Sequence, residues 1–213
     1  MEIEIYADVV CPWCYIGKRR LEQALATYDG DVTVRYRPFQ LDPSPVPEPR
    51  PLLEAMAGRF GGLDRARQMF AHVTEVAAGS GVRLDFDRAV ISNTFDAHRL
   101  VAYANEHGRA GEMVEALYQA HFTQGVNLGS REALATVAGG IGLDAADVRR
   151  FLDSDEQTAE IAAELATAHE LGITSVPTFI LAGKYAVSGA QEVETLLAAL
   201  TEVEQREAAA HSR

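Results

Sequence analysis

The chain has 213 residues, 47% of them apolar, and a formal net charge of −12 at pH 7. That length buries a substantial core and stands between one and two average domains, while the acidic balance excludes nonspecific binding to nucleic acid or to an anionic membrane, both of which call for a basic surface. No apolar run reaches the roughly eighteen residues of a membrane span, and the only two cysteines lie three positions apart, which excludes a scattered disulfide framework.

Residues 2–7 (Glu-Ile-Glu-Ile-Tyr-Ala) alternate polar and apolar side chains, the period of a strand, and Asp8-Val9-Val10 leads from it into Cys11-Pro12-Trp13-Cys14. A helix is predicted over 13–28, with Cys14, Leu21, Leu25 and Tyr28 on one side and Lys18, Arg19, Glu22 and Gln23 on the other. Pro12 suits its first position, where a missing N–H costs nothing. Asp29-Gly30-Asp31 stops the helix, and 32–39 reads as a second strand, parallel to the first through the helical crossover. Lys18-Arg19-Arg20 reads as a solvated helix face.

The proline-rich stretch 42–51 denies regular structure and marks a boundary. Helices are then predicted over 52–60, 63–78, 94–107, 111–123, 131–139 and 145–152, separated by glycine-containing breaks. Ser154-Asp155-Glu156-Gln157 has the form of a capping box opening one more helix, lined by Ile161, Leu165, Ala168 and Leu171 and ended by Gly172. Two short strands around Ala182-Gly183-Lys184 form an antiparallel hairpin, a last helix runs from about Ala190 toward Glu207, and 208–213 is expected to be a frayed tail. With the helical insertion removed, a small mixed sheet with helices on its faces is left, and the cysteine pair stands at the carboxyl end of its first strand.

That placement points to redox chemistry. A thiolate attacks disulfides where a thiol does not, and the unpaired N–H groups at a helix start favour the anion at Cys11, which is expected to be exposed. Cys14, one turn deeper, is placed to attack a mixed disulfide formed by Cys11, and Pro12 and Trp13 set the rigidity and solvation of the loop. The alternatives are half of a zinc site or two inert buried thiols. Zinc usually takes four ligands, and no second Cys pair or closely spaced His pair is present, so no metal is expected.

Several segments carry a resemblance: Asp8 to Gly17 around Cys-Pro-Trp-Cys, Asn93-Thr94 with Ala97-His98-Arg99-Leu100, Ser175-Val176-Pro177-Thr178-Phe179 before the hairpin, and Ser188-Gly189-Ala190-Gln191. Over nearly its whole length the chain resembles the thioredoxin-like superfamily, and more narrowly the DsbA-like branch of FrnE and 2-hydroxychromene-2-carboxylate isomerase-like proteins. The resemblance implies an α/β thioredoxin-like fold, discontinuous over 1–50 and 153–207, with a large all-helical insertion over 51–152. It also implies that the Val176-Pro177 bond is cis and lies beside the cysteines, where the Val176 backbone pairs with an extended peptide or glutathione. From the residues alone, Pro177 is an ordinary trans turn proline. In glutathione-binding relatives the γ-glutamyl carboxylate sits near the start of the last helix, here Gly189, Ala190 and Gln191; the other reading of that segment is a plain helix cap. One departure stands out: secreted DsbA enzymes commonly carry His where this chain has Trp13, so their oxidising power does not carry over.

The expected activity is therefore thiol–disulfide exchange with protein or low-molecular-weight thiols, by a protein-disulfide oxidoreductase of FrnE type. The alternative is a glutathione-dependent isomerase or transferase of the kappa-like or 2-hydroxychromene-2-carboxylate isomerase type, whose members generally have Ser in place of Cys11. No tightly bound cofactor is expected, and glutathione enters as a co-substrate. The start of the chain lacks the basic and apolar regions of a signal peptide, so a cytoplasmic protein is expected, with homodimerisation left open. The insertion is expected to fold back over the cysteines as a lid, with Phe39, Phe95, His98 and Arg99 lining the groove beneath it. A lone histidine on a helix is otherwise packed or solvated.

Overall fold

In the computed structural model, residues 1–211 are described. The sheet has the strand order β2-β1-β3-β4, built from β1 (Glu2–Ala7), β2 (Thr33–Pro38), β3 (Thr178–Leu181) and β4 (Tyr185–Ser188). The central strand β1 is parallel to β2, with Ile5 opposite Tyr36, and antiparallel to β3, with Ile5 opposite Phe179. Its period-2 pattern separates two cores. Ile3, Ile5 and Ala7 join the main cluster with α1 (Pro12–Leu25) and α9 (Val193–His211), whereas Tyr6 packs with Phe39, Ala168 and Ile173 on the opposite face, where α8 (Thr158–Glu170) lies.

Six helices fill the span between β2 and α8: α2 (Leu52–Phe60), α3 (Leu63–Gly79), α4 (Phe95–Glu106), α5 (Ala110–Gln124), α6 (Arg131–Gly140) and α7 (Ala145–Asp153). They share the main core, because Leu100, Leu117, Leu134 and Val148 belong to the same apolar cluster as Ile3, Ile5 and Ile16. The proline-rich stretch is pinned rather than loose: Leu52 N donates to Ala89 O, and Ile91 N donates to Arg50 O.

Four local expectations change. Helix α1 stops at Leu25 instead of Tyr28, and the Thr27 hydroxyl donates to Ala24 O just past its end. The Ser154–Gln157 capping box does not form: Ser154 instead ends α7, its hydroxyl donating to Phe151 O, and Gln157 takes a left-handed φ of 57° before α8. Leu171, expected on the buried face of α8, is 61% exposed because Gly172 turns the chain directly after it. Helix α9 begins at Val193 and continues through Ala208–His211, residues expected to fray; Ser212 and Arg213 lie outside the described residues. Among the described residues no helix is long and apolar enough to cross a membrane.

Candidate active site

The loop Asp8–Val10 carries the chain from β1 into α1, and Cys11 is the residue at which it turns. The Cys11 amide donates to Asp8 O at 3.0 Å, and the Cys11 carbonyl accepts from the amides of Cys14 (3.1 Å) and Tyr15 (3.3 Å), so Cys11 caps the helix in an extended conformation. Pro12 follows in the first turn, where the helix has no use for its missing N–H. Cys14, one turn further, is 1% exposed. Both cysteines are free thiols.

A second segment closes on this turn. The Val176-Pro177 peptide is cis, and the Cys11 sulfur lies 3.8 Å from Val176 O. Gly17 makes the approach close: a Cβ there would stand 2.9 Å from Pro177 Cγ and 3.3 Å from Phe179 Cζ. With Val176 O against its sulfur, Cys11 is only 4% exposed, which corrects the expectation of an open sulfur. Trp13 beside it is 37% exposed and Pro12 half-buried, so the rim of the site is partly apolar.

Burial pushes the Cys14 thiol well up, and its contact with Cys11 adds to the rise; the Asp8 backbone amide, hydrogen-bonded to the sulfur, works in the other direction, while the Asp8 carboxylate again opposes ionisation. Cys14 is thus held as a protonated thiol until something takes its proton. Asp8 is itself buried. Its Oδ2 accepts from Leu41 N at 2.8 Å and its Oδ1 lies 3.4 Å from His98 Nε2. Tyr118 reaches the same loop, its hydroxyl 3.5 Å from Asp8 O and its ring stacked on Tyr15 at 4.7 Å between centroids. His121, also near Asp8, is buried with neither ring nitrogen hydrogen-bonded, and burial lowers its pKa from 6.5 to about 4 despite the Asp8 charge.

The insertion therefore reaches the loop that leads into Cys11 through α4 and α5, by His98 and Tyr118. His98 is brought to the site, but as a buried partner of Asp8 and Phe39 O (3.0 Å). Phe39 is buried in the smaller core, with its ring centroid 5.5 Å from that of His169. Arg99 lines a cleft to which neither cysteine contributes, and its guanidinium is used internally: it donates to the carbonyls of Phe151, Leu152, Ser154 and Glu156 and pairs with Asp96, which serves the end of α7. Phe95, half-buried, lines that same cleft with Asp96 and Arg131.

The expected anion site at Gly189, Ala190 and Gln191 loses its premise. Helix α9 starts three residues later, Gly189 N is taken by Pro177 O (2.8 Å), and Gln191 N by Gly189 O (2.9 Å). Nor is Lys18-Arg19-Arg20 a solvated face. Lys18 is buried against Glu22 and Glu115, and Arg20 against Ser80 Oγ, Ala190 O and Glu192. Asp8, Gly17 and Tyr118 had been assigned no role from the sequence. A carboxylate inside the apolar run Tyr6-Ala7-Asp8-Val9-Val10 is the signal that could have found Asp8, since Asp is almost never fully buried without a partner.

A family model described as a DSBA-like thioredoxin domain matches residues 2–201. A crystal structure described as a probable DsbA oxidoreductase from Streptomyces coelicolor is 36% identical, superposes with a TM-score of 0.89, and the match covers 95% of this chain and 89% of that one. A 2-hydroxychromene-2-carboxylate isomerase, 19% identical, aligns over 98% of both chains with a TM-score of 0.72. The cytosolic disulfide reductase DsbM from Pseudomonas aeruginosa, in a structure with GSH, is 18% identical with a TM-score of 0.66 over 97% of this chain and all of that one. At such identities these last two likenesses show the fold alone.

Proposed function

We propose, from the premise that the chain belongs to the DsbA-like thioredoxin domain family, that it is a thiol–disulfide oxidoreductase in which Cys11 attacks and Cys14 resolves. The observation that carries this reading is the pair of free thiols on the first turn of α1, with Cys11 at the cap and Cys14 buried one turn in. Cys11 attacks a substrate disulfide, whose S–S bond breaks to release one sulfur as a thiolate, and forms a mixed disulfide with the other; Cys14 then attacks Cys11, the second substrate thiolate leaves, and the enzyme dithiol has become a disulfide while the substrate has gained two electrons. An incoming sulfur meets Cys11 where its thiol now rests against Val176 O, and an extended peptide or glutathione lies along the Val176 backbone. Pro12 and Trp13 form the rim it crosses.

Glutathione as the reductant of the Cys11–Cys14 disulfide, and the cytoplasm as the compartment, are the parts of this reading that DsbM suggests, being described as a cytosolic disulfide reductase with GSH. The second reading, a glutathione-dependent isomerase, has the 2-hydroxychromene-2-carboxylate isomerase likeness in its favour and the presence of a resolving thiol against it. Insulin reduction measured beside chromene isomerisation with glutathione separates the two. Wild type is expected to reduce insulin, Cys11→Ser to be inactive, and Cys14→Ser to accumulate a mixed disulfide visible by mass spectrometry; isomerisation that survives Cys14→Ser, with no insulin reduction by wild type, overturns the proposal.

A further inference from the structure

Arg20 stands on α1 one turn after Gly17, on the stripe that meets the Pro177 segment, and it is buried. A buried guanidinium is costly unless its N–H groups find acceptors, and here its three nitrogens reach three different places. Nε donates to Ser80 Oγ at 2.9 Å, Nη1 donates to Ala190 O at 2.6 Å, and Nη2 pairs with Glu192 at 2.9 Å. Ala190 belongs to the turn that carries β4 into α9, and that turn is bonded to the Pro177 segment, since Gly189 N donates to Pro177 O at 2.8 Å. The turn also rests on α1 itself: a Cβ at position 17 would stand 3.6 Å from Ala190 Cα. A path of direct contacts therefore runs from Arg20 through Ala190 and Gly189 to Pro177, and on to Val176 O, 3.8 Å from the Cys11 sulfur. Ser80 caps the end of α3, so the same guanidinium ties the helical insertion to this path, and Gln23, a further turn along α1, donates to Ser80 O at 3.4 Å.

We propose that Arg20 is a positioning residue for substrate docking: by holding the Ala190 turn, and through Gly189 the Pro177 carbonyl, it sets where the Val176 backbone stands relative to Cys11. The inference rests on the dithiol reading above, with an extended peptide lying along Val176. A peptide that pairs with this backbone depends closely on its placement, because hydrogen bonds weaken steeply with misalignment. A small disulfide without a peptide backbone needs only the Cys11 sulfur. Arg20 therefore favours polypeptide disulfides over small ones, and it does so without touching the substrate. Ser80 fixes the rotation of the planar guanidinium about its stem, which gives the insertion a share in shaping the docking edge.

The test sets two disulfides against the full-length protein. Insulin is reduced at steady state with dithiothreitol as the electron source, and 5,5′-dithiobis(2-nitrobenzoate), which has no peptide backbone, reacts with the reduced protein in a single turnover. Arg20→Met keeps the buried stem and removes the planar donors. It is expected to raise KM for insulin about tenfold, the scale of one or two backbone hydrogen bonds, while kcat and the rate of thiol release from the small disulfide stay within about twofold of wild type. Ser80→Ala, which removes the Nε acceptor alone, should raise the insulin KM about threefold. In hydrogen exchange the Gly189 amide should lose protection in Arg20→Met, since its acceptor Pro177 O is no longer held in place. Thermal melting checks that each variant is folded; should Arg20→Met fail to fold, Ser80→Ala decides. An insulin KM and Gly189 protection unchanged in the folded variants overturn the inference. So does a loss that falls equally on insulin and the small disulfide, or one confined to kcat, because a general loosening of the fold produces no such split. A wild type that neither reduces insulin nor releases thiol from the small disulfide instead overturns the dithiol reading itself.

Discussion

A methyl group added at position 17 has nowhere to go, since Pro177 Cγ would be 2.9 Å away and the Phe179 ring 3.3 Å away. Both neighbours are constrained, one in a ring and the other fully buried in β3, so they cannot yield as the tip of a flexible side chain would. Gly17→Ala should therefore destabilise the fold by about 1–3 kcal/mol, the usual cost of overpacking, and push the Val176-Pro177 segment off Cys11. Thermal melting checks the first effect and the rate of insulin reduction the second; a variant with unchanged melting and rate means that α1 and the Pro177 loop can separate without loss. At this scale the sequence was informative where chemistry is local. Cys11 and Cys14 were legible from spacing alone, and Pro12 from its place at the helix start. Asp8 and Gly17 acquire their roles only from residues far along the chain, namely Leu41, His98, Pro177 and Phe179.

Helix α7 shows how an element depends on a side chain from another. Its start is self-sufficient, with Asp144 Oδ1 accepting from the amides of Ala146 and Asp147. Its end is not: the carbonyls of Phe151, Leu152, Ser154 and Glu156 are served by Arg99 from α4, whose guanidinium also lies over the Phe151 ring at 5.0 Å. Arg99→Met keeps much of the packing and removes every guanidinium donor, so that the carbonyls of Leu152, Ser154 and Glu156 lose it while Phe151 O keeps its bond from Ser154. The expected loss is about 3 kcal/mol or more, from a few groups at roughly 1–3 kcal/mol each, read as a fall in urea midpoint. A loss below about 1 kcal/mol would mean that water replaces the guanidinium there. A second such tie joins α1 to α5, where Glu115 accepts from Tyr15, Lys18 and Arg19. Six helices of the insertion were placed by periodicity and glycine breaks to within a residue or two, because an amphipathic stripe is a local pattern. Which helix faces the redox site was not, because Arg99 and His98 are adjacent in sequence yet face different partners, the end of α7 and the Asp8 loop.

For the molecule as a whole, acid should be the weak direction. His121 has a folded pKa near 4 against an ordinary 6.5, chiefly from burial. Between those values the unfolded chain binds a proton that the folded one refuses, so this contribution is complete above pH 6.5 and is lost as pH falls toward 4, up to about 3 kcal/mol. Glu115 acts in the same direction at lower pH. Burial raises its pKa, but hydrogen bonds from Lys18 and Tyr15 and the charges of Lys18 and Arg19 outweigh it and leave the value below 4.5, so its stabilisation fades as pH drops through that lowered value. Guanidinium midpoints measured across pH 4 to 6.5 should fall for wild type and stay nearly level for His121→Leu; a slope that persists in the variant assigns the acid sensitivity elsewhere.

By itself the sequence determined the four strands and their order along the chain, the parallel crossover, the hairpin, the helical insertion and the thiol pair at the end of β1. All of these follow from short-range rules: side-chain period, glycine and proline punctuation, and a three-residue spacing. The tertiary structure alone decided that the insertion reaches the Asp8 loop through His98 and Tyr118, that Cys11 is buried with Val176 O against its sulfur, and that Gly189–Gln191 is a turn with two of its amides already used. It also turned Lys18 and Arg20 from an apparently solvated face into buried ties. The physical reason is common to these cases. A charge or an amide looks free along the sequence whenever its partner comes from another element, and only packing brings Glu115, Ser80 or the Pro177 carbonyl within reach.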